Sequence, residues 1–363
     1  MEVLRRRKYF MKENTAFIQP DVLKETCAKL LQAVSVNKED AELAADVITC
    51  AELRGIGSHG IARMPVYLKR VKMGLINAHP QIKIENRYNA AAVVDGDNGL
   101  GQVVTARGME RAIEMASSEG VGIAGVRNSN HFGVAAYYVM QAMEKDMIGL
   151  VITNSSPAIA PFGGKRPLLG TNPMAVGIPG RDGANIVVDM ASSVTARGKI
   201  RLCAARHEPL PPECALDEEG KPTCDPDKAL HGSLVPMGGV KGYALAVLID
   251  LMAGVLTGSG YSDGVRELND FSGPVNAGHL LMAIRIDAFK DTETFKEQIY
   301  DYVARLHDEP KASNVKNIYA PGEIEQNLTA ERMQTGIPFT RAQIDSLKNM
   351  AEEYNAAIPD LEK

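Results

Sequence analysis

The feature that most constrains the fold is an alternation of short apolar segments with amphipathic ones between residues 91 and 190. The pattern predicts, in chain order, strand 91–95, helix 101–118, strand 121–127, helix 133–145, and strands 147–153, 174–178 and 186–190. This alternation is typical of an α/β sheet whose strands are joined through helices.

Helical periodicity dominates the two ends of the chain. Helices are predicted over residues 20–55, 61–74, 292–306 and about 340–355, with a strand at 280–286. Thr340 is a plausible N-cap of the last helix. At 363 residues the chain is long for one core, so we expect several lobes. We predict an N-terminal helical lobe (1–75), an α/β domain (76–300) and a C-terminal segment (301–363) that packs with the first lobe.

Composition excludes several classes of function. A net charge of −5 provides no basic field for nucleic acid or for an anionic membrane. The longest apolar stretch, 242–258, is interrupted by Asp250 and is too short to span a bilayer. The basic residues 5–8 are not followed by an apolar segment, so no signal peptide is predicted.

The five cysteines indicate the compartment. They form no CxxC pair, and the spaced trio Cys203, Cys214 and Cys224 is a poor match to metal-ligand spacing, so no metal site is expected. Reduced thiols are typical of the cytoplasm.

A histidine follows the second strand of the α/β region. His131 lies in the segment Asn128-Ser129-Asn130-His131-Phe132-Gly133, between the predicted strand 121–127 and the next helix. Polar groups in such strand-to-helix turns face ligands in open α/β sheets. Imidazole titrates near neutrality, so it can both take and return a proton there. The alternative is a histidine that only packs at a helix start.

A glycine pattern in the same region is a decoy. The segment from Gly120 to Gly125 satisfies GxGxxG, but a helix precedes these glycines and they lie within a strand. The dinucleotide fingerprint needs the opposite order, in which the glycines follow a strand and open a helix. A standard Rossmann domain is therefore not supported.

Other polar segments are candidates for phosphate and ribose binding. Gly238-Gly239-Val240-Lys241-Gly242 opens an apolar helix, and glycine amides with a lysine suit a phosphate. Asp189 ends a predicted strand and could accept ribose hydroxyls, or it could simply cap a helix. The turn Gly170-Thr171-Asn172-Pro173 is either structural or functional.

A second reactive group lies near the N-terminus. Ser58 and His59 occur in a glycine-rich turn, and Arg63 lies one turn into the following helix, which also carries Tyr67. A guanidinium binds a carboxylate with a planar fork, which lysine lacks. The alternative for Arg63 is a solvated helix face.

These fragments together resemble a known family. The ordered motifs are Ser58-His59-Gly60-x-x-Arg63, Asn128-Ser129-Asn130-His131-Phe132-Gly133, Pro161-Phe162-Gly163-Gly164, Gly170-Thr171-Asn172-Pro173, Asp189-Met190-Ala191-Ser192, Leu216-Asp217 with Gly220-Lys221-Pro222-Thr223, Gly238-Gly239-x-Lys241-Gly242-Tyr243 and Pro321-Gly322-Glu323. In this order they resemble the malate/L-lactate dehydrogenase family, which includes ureidoglycolate, sulfolactate and diketogulonate oxidoreductases. The sequence departs from the family pattern at Gly57 and at Cys214.

The resemblance implies a fold, a cofactor and a set of roles. It implies a homodimer with a non-Rossmann, mixed-sheet α/β domain that binds NAD or NADP, and a helical lobe from both chain ends. It implies that His131 exchanges a proton and that His59 and Arg63 face the substrate. His59, which with Ser58 would polarise a substrate oxygen, is the second predicted catalytic residue, and Ser58, Arg63 and Tyr67 are the predicted substrate-binding residues. The cofactor contacts that it implies are Thr171, Asn172, Asp189, Met190, Ala191, Lys241, Pro321, Gly322 and Glu323.

The predicted function is hydride transfer between NAD(P)H and a small 2-oxo or 2-hydroxy acid, such as malate or lactate, in the cytoplasm. Two alternatives remain open from the sequence. One is a non-catalytic ligand-binding paralogue, and the other is a pyridoxal-phosphate enzyme with Lys241 as the Schiff base and Asp189 facing the pyridine nitrogen.

Overall fold

The computed structural model describes residues 15–361, and the chain divides into two compact units. Unit 1 comprises the described parts of Met1–Gly74, Pro179–Ile186 and Asp291–Lys363, and unit 2 comprises Leu75–Ile178 and Val187–Lys290. The basic segment 5–8, on which the signal-peptide prediction depends, lies outside the described residues.

The division differs from the predicted domain boundaries at two places. Residues 179–186 belong to unit 1, although the sequence analysis assigned them to the α/β domain. The predicted boundary at residue 300 falls inside one continuous helix, Thr292–Asp308, and the observed boundary lies between residues 290 and 291. A helix is a cooperative unit, so a boundary between units belongs at its end.

Unit 1 is mainly helical. Its described helices are α1 (Pro20–Ala33), α2 (Lys38–Leu53), α3 (Met64–Lys72), α9 (Thr292–Asp308), α10 (Glu323–Thr335) and α11 (Arg341–Tyr354). The span predicted as helical over 20–55 is two helices, because Ser35 adopts a positive φ of 73° and Asn37 caps α2 by accepting a hydrogen bond from the Asp40 amide.

A two-stranded sheet connects the two ends of the described chain in unit 1. Strand β1 (Thr15–Ile18) pairs antiparallel with β11 (Ile337–Thr340). Neither strand was predicted, because each is only four residues long. Helix α10 was not predicted either. Thr340 then caps α11 in a capping box with Gln343, which confirms the cap that the sequence predicted.

Unit 2 contains a mixed seven-stranded sheet. Its strands are β2 (Lys83–Tyr88), β3 (Ala91–Asp95), β4 (Val121–Ser129), β5 (Met147–Thr153), β6 (Met174–Ile178), β7 (Ile186–Met190) and β10 (Ala277–Arg285), in the spatial order β2-β3-β4-β10-β5-β6-β7. Strand β10 therefore lies at the centre of the sheet, although it is the last of these seven strands along the chain. This order confirms the predicted mixed, non-Rossmann sheet.

The strand directions bring the polar loops to one edge of the sheet. Strands β3 and β4 are parallel, and β10 is antiparallel to both β4 and β5. The carboxyl ends of β3, β4 and β5 and the start of β10 therefore lie at the same edge. Strand β6 is antiparallel to β5, so the turn that precedes β6 is also at this edge. The polar motifs 128–133 and 170–173 thus lie at the same edge of the sheet.

The remaining helices of unit 2 connect and cover these strands. They are α4 (Gly101–Glu119), α5 (Ala136–Met143), α6 (Arg197–Arg206), α7 (Pro226–His231) and α8 (Val240–Asp250), the last of which continues as one π-helical turn over Leu251–Val255. Two short strands, β8 (Ala215–Leu216) and β9 (Ser233–Leu234), pair within the segment that the sequence indicated as irregular. Strand β2 and helix α6 were not predicted.

The GxGxxG glycines serve packing. Gly120 ends α4 with a positive φ of 84°, and a side chain at Gly122 would collide with the carbonyl oxygen of Ala112 in α4. Glycine at 122 therefore lets α4 lie close against β4. The prediction that this pattern is not a dinucleotide fingerprint is confirmed by the order of the elements.

No helix within residues 15–361 combines the length and the apolar character that crossing a bilayer would require.

Candidate active site

His131 lies in a six-residue loop at the polar edge of the sheet in unit 2. The loop begins after Ser129, the last residue of β4, and ends at Ala136, the first residue of α5. The helix was predicted to begin at 133, so His131 stands further from the helix start than expected. Its ring is half-buried, and its Nδ1 accepts a hydrogen bond of 3.3 Å from the Gly133 amide.

The loop is held at several points along its length. The side chain of Asn130, which is 1 % exposed, donates to the carbonyl oxygen of Gly99 at 2.8 Å. The carbonyl oxygen of Phe132 accepts a hydrogen bond from the Tyr138 hydroxyl. A side chain at Gly101 would collide with the backbone of Asn130. Buried polar groups with defined partners fix a backbone more firmly than apolar contacts do.

Asp189 connects β7 to this loop. Its Oδ2 accepts a hydrogen bond of 2.9 Å from the Ala136 amide, which is one of the otherwise unpaired donors at the start of α5. The capping role that the sequence left open is thus observed, on an exposed carboxylate at the same edge of the sheet. Met190 is 37 % exposed beside it, and Ala191 is half-buried.

The turn Gly170-Thr171-Asn172-Pro173 is held by the end of β5. The Thr171 amide donates to Ser155 Oγ at 3.0 Å, and the Ser155 amide donates to Asn172 Oδ1 at 3.1 Å. Asn172 also donates to the Ala246 carbonyl oxygen in α8 at 2.8 Å and is fully buried. Its side chain therefore connects the turn to α8, whereas Thr171 is half-buried.

Helix α8 has an open N-terminus. Gly238 and Gly239 adopt positive φ angles of 59° and 64°, which only glycine takes without strain, and a side chain at Gly238 would meet nothing within 4 Å. Lys241 is exposed in the first turn. The positive end of the helix dipole and an ammonium group suit a phosphate, so this segment fits the phosphates of a nucleotide cofactor.

Unit 1 holds the second group of predicted site residues. Ser58 Oγ lies 3.0 Å from His59 Nδ1 in a single turn of 3₁₀ helix, Gly57–His59. Arg63 donates from Nε to the Ser58 carbonyl oxygen at 2.8 Å. Burial, together with the positive charge of Arg63, lowers the pKa of His59 to about 4, so this imidazole is neutral at neutral pH.

Glu52, which the sequence analysis missed, shapes this turn. Its Oε1 accepts a hydrogen bond of 2.8 Å from the Ile61 amide, and burial raises the pKa of the carboxyl group. A side chain at Gly60 would collide with this carboxylate. Glycine at position 60 is therefore needed for the turn to close over Glu52. The sequence signal for Glu52 was a glutamate in an otherwise apolar helix face.

The last candidates of unit 1 are in different environments. Tyr67 is 1 % exposed and lies in the core. Gly322 is the N-cap of α10 with a φ of 86°, and Glu323 Oε2 accepts hydrogen bonds of 2.8 Å from both the Ala320 amide and His307 Nε2. The carboxylate of Glu323 thus holds its own turn, while Pro321 is exposed.

Sequence reasoning also missed buried polar residues in unit 2. His279, in β10, is fully buried, and its ring nitrogens contact the hydroxyls of Thr153 and Ser129. Asn154 donates to the Gly260 carbonyl oxygen at 2.7 Å and contacts Asp250, whose pKa is raised by burial. The polar segment after the predicted strand 147–153 was a usable sequence signal for Asn154. No sequence pattern indicated which strand His279 would face.

Within the described part of the chain, no group of three or more His, Cys, Asp or Glu side chains is arranged as a metal site. The five cysteines are free thiols.

The sequence profile of the family described as malate/L-lactate dehydrogenase matches residues 18–348. The malate/(S)-sulfolactate dehydrogenase of Methanothermus fervidus is 41 % identical over 341 residues, which are 94 % of this chain and 99 % of that protein. The solved structure of sulfolactate dehydrogenase from Methanocaldococcus jannaschii superimposes with a TM-score of 0.90 at 39 % identity, covering 96 % of this chain and 100 % of that one.

Two further relatives are named with their cofactors. The ureidoglycolate dehydrogenase (NAD(+)) of Escherichia coli is 35 % identical over 81 % of this chain and 84 % of its own length. The (2R)-3-sulfolactate dehydrogenase (NADP(+)) of Chromohalobacter salexigens is 34 % identical over 88 % of this chain and 94 % of its own length. With the family profile matched over most of its length, the chain belongs to the malate/L-lactate dehydrogenase family and is an oxidoreductase.

Proposed function

We propose that this enzyme transfers a hydride between NAD(P)H and a small 2-oxo acid, and that His131 exchanges the proton that accompanies it. The observation that carries the proposal is the position of His131. It lies on a loop held at Asn130, Phe132 and Ala136, at the sheet edge where Thr171 and Asp189 also lie. Neither alternative left open by the sequence gains an observation from the structure.

The substrate that we propose is a 2-hydroxy acid with a second anionic group, of which malate and sulfolactate are examples. The support is the activities for which the relatives are named, since one of them is a malate/(S)-sulfolactate dehydrogenase. Lactate, which lacks the second anion, and ureidoglycolate are the comparison substrates. An assay of NADH and NADPH consumption compares the rates with oxaloacetate, sulfopyruvate and pyruvate, which are the 2-oxo acids of malate, sulfolactate and lactate.

Three segments of unit 2 would hold the cofactor. The helix start at Gly238-Gly239 with Lys241 would bind phosphate, and Asp189 with Met190 and Ala191 would bind the nucleoside, alongside Thr171 and Asn172. For the turn Pro321-Gly322-Glu323, in unit 1, a cofactor contact is what the family resemblance alone implies. When bound, the nicotinamide ring supplies the hydride acceptor or donor. Relatives use either cofactor, so both are tested.

In unit 1, a neutral imidazole and a cation lie together and can bind a substrate. Arg63 would hold the substrate carboxylate with its terminal amino groups, because its Nε already donates to the Ser58 carbonyl oxygen. His59 is neutral at neutral pH, so it can donate a hydrogen bond to a substrate oxygen without adding a charge. The hydrogen-bonding contact with Ser58 orients its ring.

We further propose that the enzyme is a homodimer formed through α8 and the π-helical turn that follows it. The side chains of Ala244, Leu248, Leu251 and Val255 are spaced by four, three and four residues, so they lie on one face, and all four are exposed. A stripe of this kind on a soluble protein typically marks an interface. The family resemblance implies a homodimer, so we propose that a second copy of the chain covers this stripe. The cytoplasm remains the proposed compartment, in keeping with the free cysteines.

Replacing His131 with alanine should lower kcat by about 10²–10⁴-fold, because proton transfer loses its side chain. The cofactor dissociation constant, measured by NADH fluorescence, should stay within about twofold. The exposed His231 gives the control, and His231→Ala should match the wild type in both measurements. Retained turnover in His131→Ala, or loss of cofactor binding, would remove the proposed role.

Replacing Arg63 with lysine should raise KM for the 2-oxo acid by about 10–100-fold with a smaller effect on kcat, because lysine cannot form the bidentate pair. Steady-state kinetics at saturating cofactor measure this split. Arg341→Lys, on the exposed face of α11, is the matched control and should leave KM unchanged. An unchanged KM in Arg63→Lys would place Arg63 outside the substrate site.

The pKa of His59 makes stability depend on pH. The folded-state pKa of His59, about 4, is below the ordinary histidine value of 6.5, so the unfolded chain binds this proton first as the pH falls. The contribution of His59 to stability is therefore present above about pH 6.5 and is lost between about pH 6.5 and pH 4, with a slope of up to about 1.4 kcal/mol per pH unit.

Urea unfolding of wild type and His59→Gln, followed by circular dichroism at several pH values from 7 to 4.5, measures this dependence. The free energy of unfolding should fall less steeply in the variant as the pH decreases. His279, whose pKa is lowered to about 3, contributes in the same direction and is present in both proteins, so part of the slope remains. Parallel curves for the two proteins would show that folding does not lower the pKa of His59.

Replacing Leu251 with glutamate should convert the dimer to a monomer, because it puts a charge in the apolar stripe of α8. Light scattering coupled to size exclusion should give twice the chain mass of 39.2 kDa for the wild type and one chain mass for the variant. Met333→Glu, at a residue that is 56 % exposed on α10, is the control and should stay dimeric. A monomeric wild type, or a dimeric Leu251→Glu, contradicts the proposed interface.

A further inference from the structure

The buried histidine of the central strand has a polar partner at each ring nitrogen. His279 is 0 % exposed in β10. Its Nδ1 lies 2.7 Å from Thr153 Oγ1 at the end of β5, and its Nε2 lies 2.8 Å from Ser129 Oγ at the end of β4. Burial lowers the pKa of His279 to about 3, so the ring is neutral and carries one N–H donor and one acceptor.

The contacts of Thr153 determine which nitrogen carries the proton. Thr153 Oγ1 lies 3.0 Å from the carbonyl oxygen of Gly278 and 3.1 Å from that of Asn154, and both oxygens can only accept. A hydroxyl proton directed at Nδ1 would leave both carbonyl oxygens facing hydroxyl lone pairs, so we infer that the proton points to a carbonyl oxygen and that Nδ1–H donates to Thr153 Oγ1. It follows that Nε2 is the acceptor and that the Ser129 hydroxyl donates to it.

The same imidazole contacts the chain on both sides of His131. Ser129 precedes His131 by two residues, and the ring of Phe132, which follows it, packs edge to face on the His279 ring with centroids 4.8 Å apart. One rigid group in the centre of the sheet thus holds both ends of the segment that carries His131. Because Asn130 is anchored separately to Gly99, little freedom remains in the backbone of this segment.

We propose that His279 is a positioning residue for His131. Through its bond from Ser129 and its contact with Phe132, it sets the direction in which the backbone presents the His131 ring. The proposal rests on the assignment of His131 as the proton-exchanging group. A displacement of about 1 Å at such a group lowers turnover by as much as about 10²-fold, so the positioning residue has a measurable effect without touching the substrate.

Two substitutions separate the two hydrogen bonds of His279. Asparagine places an amide near Nδ1, so His279→Asn keeps the bond to Thr153 and loses the bond from Ser129. Glutamine reaches further, so the oxygen of His279→Gln can still accept from Ser129. His279→Asn should lower kcat by about 10–100-fold, and His279→Gln by less than about tenfold. The KM for the cofactor should stay within about twofold in both variants.

Ser129→Ala removes the same bond from the other side. It should reproduce the loss of kcat in His279→Asn, and the double variant should be no worse than either single variant, because both changes delete one interaction. Thr153→Ser keeps the hydroxyl and is the matched control, with kcat expected within about twofold of the wild type. Additive losses in Ser129→Ala with His279→Asn would overturn the proposal.

A readout independent of turnover is the protonation of the ring. Nitrogen NMR of the full-length protein labelled at histidine should show that the imidazoles of His59 and His279 both stay neutral from pH 8 to pH 5. The signals of His279, identified by their absence in His279→Gln, should show the proton on Nδ1. The ring signals of His131, assigned with His131→Ala, should shift in His279→Asn and not in Thr153→Ser. A proton on Nε2 of His279, or unmoved His131 signals, would contradict the proposal.

The variants also distinguish this proposal from the proposed function. If His131→Ala retains turnover, the proton assignment fails whatever the His279 variants do. If His131→Ala is inactive while His279→Asn keeps full kcat, only the positioning role is wrong. If His279→Asn loses kcat only in proportion to a loss of folded protein measured by circular dichroism, His279 acts on stability alone and the proposal is also wrong.

Discussion

The antiparallel strand at the centre of the sheet is the constraint on which the arrangement of unit 2 depends. Strand β10 inserts between β4 and β5 and pairs with both, so it brings the carboxyl ends of those two strands to the edge where β10 itself begins. Polar loops from distant parts of the sequence therefore meet there. In a doubly wound parallel sheet a crevice at a switch in strand order has this role, whereas here one reversed strand provides it.

The loop of His131 meets two opposed requirements. A group that exchanges protons with a ligand must be reachable, and the ring of His131 is only half-buried. It must also be held in place, and its neighbours Ser129 and Asn130 are almost completely buried. The structure meets both requirements by anchoring the residues around the histidine with hydrogen bonds to the sheet, to the turn that precedes α4 and to Asp189. Each of these buried polar groups needs a partner, which makes the loop sensitive to single substitutions.

Local signals in the sequence were sufficient for many elements and for the candidate residues. Strand and helix periodicity predicted most elements of unit 2, and the position of Gly122 and Gly125 within a strand excluded the dinucleotide fingerprint. Pairing between distant strands was not readable, since periodicity gives the face of a strand but not its neighbour. His279, which contacts Ser129 150 residues away, was therefore missed, as was the pairing of β1 with β11. Asp189 was ambiguous in the sequence, because a capping carboxylate and a binding carboxylate follow a strand equally well.

The central claim is that the His131 ring exchanges a proton with the substrate oxygen while hydride moves to or from the adjacent carbon. The most direct measurement is a crystal structure of the enzyme with NADH or NADPH and an unreactive 2-oxo-acid analogue. The account predicts a ring nitrogen of His131 about 2.6–3.2 Å from the analogue's 2-oxo oxygen or its equivalent. A His131 ring turned away from that oxygen, with another side chain in hydrogen-bond contact with it, would contradict the account.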